Sequence, residues 1–323
     1  MPSARTRQDH ASTVVVYAAL IGNVLVAITK AIAAAWTGSS GMLSEAIHSA
    51  VDTVNELLLL HGLRRAELGP DRDHPLGYGR ELYFWSFIVA LLVFAVGSGA
   101  SLYQGWLHVR APEPISDPLV NYVVLALAAV FEGSSWWVSL RQFSRAKGEL
   151  GFYQAFRRSK DPPSFMVLFE DSAALLGIAV AALGNIGVQL TGDARLDGAA
   201  SIVIGLILAA TAVLLARESK SLLIGEAANP ALATAVLSIA ASQDGVRAAN
   251  GLITVQLAPD QVVAALSLEF EDKLRAPEIE ALVSRIEKDV AEAYPQIVLL
   301  FVKPQTPEVF RARKGRRLGV RRG

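Results

Sequence analysis

Residues 39–52 read SSGMLSEAIHSAVD. This stretch is small and apolar in character, yet it carries three ionisable side chains, Glu45, His48 and Asp52. Glu45 lies three positions before His48 and Asp52 lies four positions after it, so a helix projects all three from one face. An imidazole and a carboxylate one turn apart can bind the same cation. The stretch therefore predicts a helix that binds metal.

Long apolar segments surround this stretch. The chain is 52% hydrophobic and only 19% charged, and a membrane-spanning helix needs about 20 mostly apolar residues. Six segments are long enough: Val14 to Trp36, Gly41 to Leu63, Leu82 to Leu107, Pro118 to Leu140, Ser164 to Leu190 and Asp197 to Ala216. We expect an all-α six-helix transmembrane bundle over residues 1–226.

The distribution of charge predicts the orientation of this bundle. Twelve Lys and Arg residues lie before the first segment or in the second and fourth connections, and only Arg110 and Arg195 lie in the other three. By the positive-inside rule, we expect a multi-pass protein of the cell (inner) membrane with both termini cytoplasmic. The 30 basic and 30 acidic residues balance, so a nucleic-acid partner is not favoured. The chain has no cysteine, which excludes disulfides and thiolate metal sites.

In residues 227–306 the spacing of apolar residues becomes typical of a soluble domain. Asn229 to Gln243 and Ala276 to Tyr294 have helical patterns, and three segments are rich in β-branched residues: Gly251 to Leu257, Val262 to Phe270 and Gln296 to Val302. The order predicts a small cytoplasmic α+β domain, αββαβ and ferredoxin- or metallochaperone-like. Residues 307–323 form a basic tail, expected to be solvated and disordered, with contact to anionic lipid as an alternative.

Ionisable groups also occur elsewhere in the apolar segments. The fifth segment carries Glu170 and Asp171, and such groups inside a membrane normally face a cavity and serve a function. Adjacent residues on a helix point about 100° apart, so we do not expect both to aim at one ion. Glu56 and His61 are expected to hydrogen-bond between helices. Lys30 is expected to snorkel or to neutralise a carboxylate, and Asn23 and Glu132 are weaker candidates for the same cavity.

Several of these motifs resemble those of the cation diffusion facilitator family. Residues 39–52 resemble its second-helix signature, and HPLGYGR at 74–80 resembles the connection that follows. DGAAS at 197–201 and RESK at 217–220 look like the entry and exit of its sixth helix. The resemblance implies a homodimeric exporter of zinc, iron, manganese, cobalt or cadmium, in most members a proton antiporter. It implies no enzyme activity and no cofactor; the partners are the divalent metal ion, protons and the lipid bilayer.

The resemblance also implies a tetrahedral site with two ligands from the second helix and two from the fifth. His48 and Asp52 match the first pair, and Asp171 matches one of the second pair. Val167 stands where the family usually has the other ligand. VLFEDSAALLG at 167–177 resembles a zinc-exporter branch with a Glu-Asp pair in this helix. Glu170, Glu45 or water is then the fourth ligand.

A second metal site of some family members uses an acidic residue and two histidines after the second helix. Asp71 and His74 match its start, but Tyr78 stands in place of the second histidine, so we expect this site to be degraded. All histidines lie at or before position 108. The C-terminal domain is therefore expected to dimerise rather than to bind metal.

These observations predict efflux of a divalent cation, with zinc expected, by proton antiport. Manganese, iron and cobalt remain alternatives to zinc as the transported ion, since they accept similar ligands. Val167 supports a rival, a non-transporting scaffold or regulator that keeps the fold. The Glu-x-x-His at 45–48 also occurs in di-iron carboxylate oxidases, but these need a second copy, and the chain has none.

Overall fold

The computed structural model describes residues 4–317, with the surroundings of the side chains at 20, 22–145 and 147–313. It divides into two compact units. The first contains the residues up to Gly69 together with Glu81–Lys220, and the second contains Pro70–Arg80 and the residues from Ser221 onward.

The first unit is helical throughout its regular structure. Its helices are α1 (Ala4–Thr37), α2 (Ser40–Ala66), α3 (Glu81–Leu92), α4 (Gly99–Arg110), α5 (Pro118–Ala146), α6 (Phe152–Arg158), α7 (Pro162–Thr191) and all but the last residues of α8 (Arg195–Ile224). A π-helical segment, Val93–Ser98, joins α3 to α4. The predicted third span is therefore one long helix with a local change of winding.

Four membrane-length helices are found in the described part of the chain: Glu81–Arg110, Pro118–Arg145, Pro162–Thr191 and Arg195–Ile224. The described apolar part of α1 is shorter, Gly22–Thr37. Helix α2 has 27 residues and is more polar, since it carries Glu45, Asp52 and Glu56. Several apolar helices are thus established, and the count of six spans stays a prediction.

The outward faces of these helices are apolar. Large side chains such as Leu25, Leu127, Leu183 and Leu206 are each more than half exposed. Such faces suit hydrocarbon, because lipid tails are as apolar as leucine.

Helices α4 and α8 approach each other through glycine. A Cβ on Gly105 would lie 2.7 Å from the carbonyl oxygen of Gly198 and 2.8 Å from the backbone nitrogen of Ile202. Small residues of this kind let membrane helices approach backbone to backbone.

The first turn of α2 is held by a carboxylate from α8. Asp197 is fully buried and accepts from the backbone N–H of Ser40 (2.5 Å), the hydroxyl of Ser39 (2.8 Å) and the N–H of Gly41 (3.3 Å). The hydroxyl of Ser39 in turn accepts from the N–H of Met42 at 3.2 Å. Donors that a helix start leaves unpaired are thus satisfied, and the position of α2 is fixed.

The second unit contains a three-stranded sheet with helices on it. Its elements are α9 (Pro230–Ala241), β1 (Val246–Ala258), β2 (Gln261–Phe270), α10 (Ala276–Ala293), β3 (Ile297–Pro304) and α11 (Pro307–Arg317). The strand order is β1-β2-β3, with β1 and β2 antiparallel and β2 and β3 parallel. The order αββαβ of the first five elements agrees with the predicted one.

The core of this unit lies between the sheet and helices α9 and α10. Leu266 and Leu268 of β2, Val236 of α9 and Ile286 of α10 are fully buried together. Strand β1 begins five residues before the predicted Gly251, because a register irregularity between Ala249 and Gly251 lets pairing with β2 continue to Val246.

The expectation of a disordered tail is wrong for residues 307–317, which form α11. Proline at its first position, Pro307, favours a helix start, and the ring of Phe310 packs against Gly251 of β1. Arg311 and Arg313 are exposed, as a solvated segment requires. Arg321 and Arg322 lie outside the described residues.

Candidate metal site

A cavity of about 520 Å³ lies in the first unit and is lined by residues of α1, α2, α5 and α7. Five carboxylates line it: Asp52, Glu56, Glu132, Glu170 and Asp171. Apolar side chains, including Leu59, Phe131 and Val138, form much of the remaining wall. Anionic groups in an apolar cavity are costly unless a cation or protons accompany them, so the cavity has the chemistry of a cation site.

The predicted pair on α2 comes together beside this cavity. Nδ1 of His48 lies 3.3 Å from Oδ1 of Asp52. The His48 side chain is 1% exposed and that of Asp52 is 20% exposed. Neither ring nitrogen of His48 has a hydrogen-bond partner among the described side chains and backbone. Asp52 lines the cavity and His48 does not. Buried polar atoms are normally paired, so a buried imidazole without a hydrogen-bond partner, next to a carboxylate, has the chemistry of a metal ligand.

The two acidic residues of α7 reach the same cavity from different sides. Oε1 of Glu170 accepts from Nδ2 of Asn55 on α2 at 3.0 Å. Oδ2 of Asp171 accepts from the hydroxyl of Ser135 on α5 at 2.8 Å. Val167 also lines the cavity, at the position where the resemblance implies a ligand. Although adjacent residues diverge, both carboxylates line this wide cavity.

Glu45 lies apart from the cavity wall. Its carboxylate is fully buried, with Oε2 3.1 Å from Nζ of Lys30 on α1. Its other oxygen, Oε1, faces Gly177 of α7, where a Cβ would collide with it. Lys30 therefore neutralises a carboxylate, one of the two roles expected for it, and Glu45 is already partnered.

The predicted ligands do not all converge. No group of three His, Asp or Glu side chains in the described residues is close enough to hold one ion. The structure brings His48 and Asp52 together, and it places Glu170 and Asp171 on the wall of the cavity that Asp52 lines. Their common ligation stays a prediction.

Four further polar side chains lie at or near the cavity, and the sequence predicted a role for two of them. The expected inter-helix hydrogen bond of Glu56 is present, since its Oε2 accepts from Nδ2 of Asn23 at 2.9 Å. His61 instead packs its ring against Trp85 of α3, with centroids 4.9 Å apart. Asn55 and Ser135 were missed. Asn55 lies three residues after Asp52, and this spacing on one helical face could have identified it.

The loop after α2 satisfies its acidic residue internally. Asp71 accepts from the hydroxyl of Tyr78 at 2.7 Å and from the backbone N–H groups of His74 (2.6 Å) and Asp73 (2.9 Å). These hydrogen bonds lower the pKa of Asp71. The one from the Tyr78 hydroxyl contributes most, and the one from the backbone N–H of His74 comes second. The rings of His74 and Tyr78 pack 4.2 Å apart. Tyr78 therefore hydrogen-bonds Asp71 from the position where the resemblance implies the second histidine of a metal site.

Comparison with known proteins gives a family match to the cation efflux transmembrane domain over residues 16–224. A "proton-coupled zinc antiporter SLC30A9, mitochondrial" from Xenopus laevis is 34% identical over 80% of this chain and 47% of its own length. "Metal tolerance protein C4" from Arabidopsis thaliana is 34% identical over 59% of this chain and 43% of its own length. "Cation-efflux pump FieF" from Cronobacter sakazakii is 27% identical over 86% of this chain and 87% of its own length.

These relatives also correct one expectation. The chain spans about half the length of the SLC30A9 relatives it matches, and those relatives are named as mitochondrial. The prediction of the cell (inner) membrane was wrong. It came from the positive-inside bias, which orients a protein in a membrane but does not identify the membrane.

Proposed function

The chain belongs to the cation efflux family, and from that premise we propose that it exports a divalent cation, zinc, in exchange for protons. The family match covers more than half of the chain, residues 16–224, and a relative named as a proton-coupled zinc antiporter is 34% identical. Transport rather than catalysis accords with relatives named as an antiporter and a pump.

One observation carries the proposal. A cavity inside an apolar bundle is lined by five carboxylates, and next to it the buried imidazole of His48 has no hydrogen-bond partner in the described structure. Five carboxylates in an apolar cavity are costly unless a cation or protons accompany them. A site that alternately holds a cation and protons supplies both.

We infer that His48 and Asp52 of α2 and Asp171 of α7 bind the ion. Glu170 or a water molecule completes a tetrahedral set. Asp171 can bind while it accepts from Ser135, because a carboxylate offers about four lone-pair sites. To bind the ion, Glu170 has to release the hydrogen bond that it accepts from Asn55 or keep it while it also contacts the ion. Imidazole nitrogen with carboxylate oxygen is a ligand set that suits zinc.

Coupling to protons follows from the chemistry of these ligands. Metal binding requires a neutral imidazole and ionised carboxylates, so loading the ion releases protons and protonation releases the ion. A cavity that opens to one side of the membrane and then to the other thereby exchanges the ion for protons.

Two structural predictions accompany this function. Helices α1 and α2 are taken to complete a bundle of six spans with the four apolar helices. Two copies of the chain are taken to pair through the C-terminal α+β domain. Crosslinking of the purified protein in bilayers tests the second, and a strictly monomeric protein with full activity would remove it.

The test is zinc flux in proteoliposomes with an imposed pH gradient. His48→Ala and Asp52→Asn are each expected to lower the flux at least about 100-fold. His61→Ala is the matched control: it removes an exposed imidazole from the same helix, so it should change the flux by no more than about twofold. Wild-type flux in His48→Ala would overturn the proposed site.

Val167 favours one alternative, a non-transporting regulator that keeps the fold, because an apolar residue stands on the cavity wall where the resemblance implies a ligand. The same assay separates the two. A wild-type protein that binds zinc but shows neither zinc flux nor zinc-stimulated proton flux would support the regulator.

A further inference from the structure

Lys30 of α1 places a buried ammonium at the edge of the cavity. Its side chain is fully buried. Its Nζ donates to the hydroxyl of Ser49 at 2.8 Å and to Oε2 of Glu45 at 3.1 Å, both on α2. It lies 3.7 Å from Oε1 of Glu132 on α5. Ser49 and Glu132 line the cavity, so this cation is fixed beside the proposed ion path.

Glu132 is the carboxylate of the cavity wall that lies beside Lys30, 3.7 Å from its Nζ. It lines the same cavity as Asp52 and Asp171. By position it is a potential additional ligand. The ammonium of Lys30 attracts it, and attraction between opposite charges is strong in a poorly solvated interior.

The number and type of ligands determine which metal a site prefers. Imidazole with a few carboxylates in a tetrahedral set suits zinc. Each further carboxylate makes the site richer in oxygen and raises its coordination number, which suits manganese(II). A divalent ion that recruited Glu132 would have to separate it from Lys30 and accept a positive charge nearby.

We propose that Lys30 is a specificity-determining residue that keeps Glu132 out of the coordination sphere and so favours zinc over manganese. Glu45 anchors Lys30 in this position from the side away from the cavity. The proposal rests on the proposed function, since it concerns the ligands of the same transport site.

The first test frees Glu132 and measures selectivity. Lys30→Met alone leaves Glu45 as an unpaired buried charge, which is strongly destabilising, so the variant is Lys30→Met with Glu45→Gln. In proteoliposomes with a pH gradient, its ratio of zinc to manganese flux should fall about tenfold or more. Adding Glu132→Gln should restore the wild-type ratio. A ratio that stays at the wild-type value in the double variant overturns the proposal.

The second test does not depend on the folding of a Lys30 variant. Because Lys30 already withholds Glu132, Glu132→Gln in the wild-type background should leave zinc flux and the zinc-to-manganese ratio within about twofold. A tenfold loss of zinc flux would show that Glu132 is itself a ligand and would overturn the proposal. Absence of zinc flux in the wild type would instead remove the proposed function.

Discussion

Replacement of Asp197 by Ala tests how α2 is held in place. The carboxylate of Asp197 is fully buried and accepts from two backbone N–H groups, those of Ser40 and Gly41, and from the hydroxyl of Ser39. Alanine leaves all three donors without this acceptor. The hydroxyl can rotate toward another acceptor, but the N–H groups cannot.

The magnitude follows from these contacts. Each buried N–H left unpaired costs about 1–3 kcal/mol, and loss of a negative charge at a helix N-terminus costs up to about 1 kcal/mol more. We expect Asp197→Ala to lower the free energy of unfolding by about 4 kcal/mol. Asp197→Asn should cost about 2 kcal/mol, because its amide keeps one oxygen acceptor but sets an N–H against another donor.

The assay is equilibrium chemical unfolding in detergent micelles, followed by tryptophan fluorescence. All five tryptophans lie between residues 36 and 137, so the signal reports the helical unit. Asp193→Ala is the control. The side chain of Asp193 is exposed and accepts from the N–H of Arg195 at 3.0 Å, so its loss should cost about 1 kcal/mol or less. An Asp197→Ala protein as stable as the Asp193→Ala control would refute the capping argument.

The remaining predictions concern a helix contact and the loop after α2. Gly105→Ala should destabilise the helical unit by about 2 kcal/mol, since its Cβ would meet backbone atoms of Gly198 and Ile202 that cannot move aside; the same unfolding assay checks this, and a change below about 0.5 kcal/mol would contradict it. Tyr78→Phe should raise the pKa of Asp71, because the phenol hydroxyl that stabilises the ionised carboxylate is lost. In the wild type, the hydrogen bond from Tyr78 stabilises the loop fully at pH values above the ordinary pKa of an aspartate carboxyl. This stabilisation is lost as the pH falls through the lowered pKa of Asp71. Carbon-13 NMR titration of Asp71 measures it, and an unchanged pKa would contradict the assigned cause.

Local periodicity accounts for what the sequence predicted well. Residues four apart on a helix share a face, so spacing alone was enough to place His48 and Asp52 together. The alternating and helical patterns of residues 229–302 similarly predicted the order αββαβ, because each element buries one face of its own.

The contacts that sequence reasoning could not place are those between helices. The spacing on α2 grouped Glu45 with His48 and Asp52, but the pairing of Glu45 with Lys30 depends on which helix packs beside α2. Likewise, sequence reasoning could not place the donors of Glu170 and Asp171, Asn55 and Ser135, because these lie on the neighbouring helices α2 and α5. The π-helical segment in the third span and the short helix α6 also carried no clear local signal.

An imidazole and carboxylates from α2 and α7 are proposed to hold the transported ion jointly. X-ray absorption spectroscopy at the zinc edge of the loaded protein measures these ligands. We expect four light-atom ligands at about 2.0–2.1 Å, including one imidazole whose signal disappears in His48→Ala and persists in His61→Ala. A zinc spectrum without imidazole, or one that His48→Ala leaves unchanged, would contradict the proposed site.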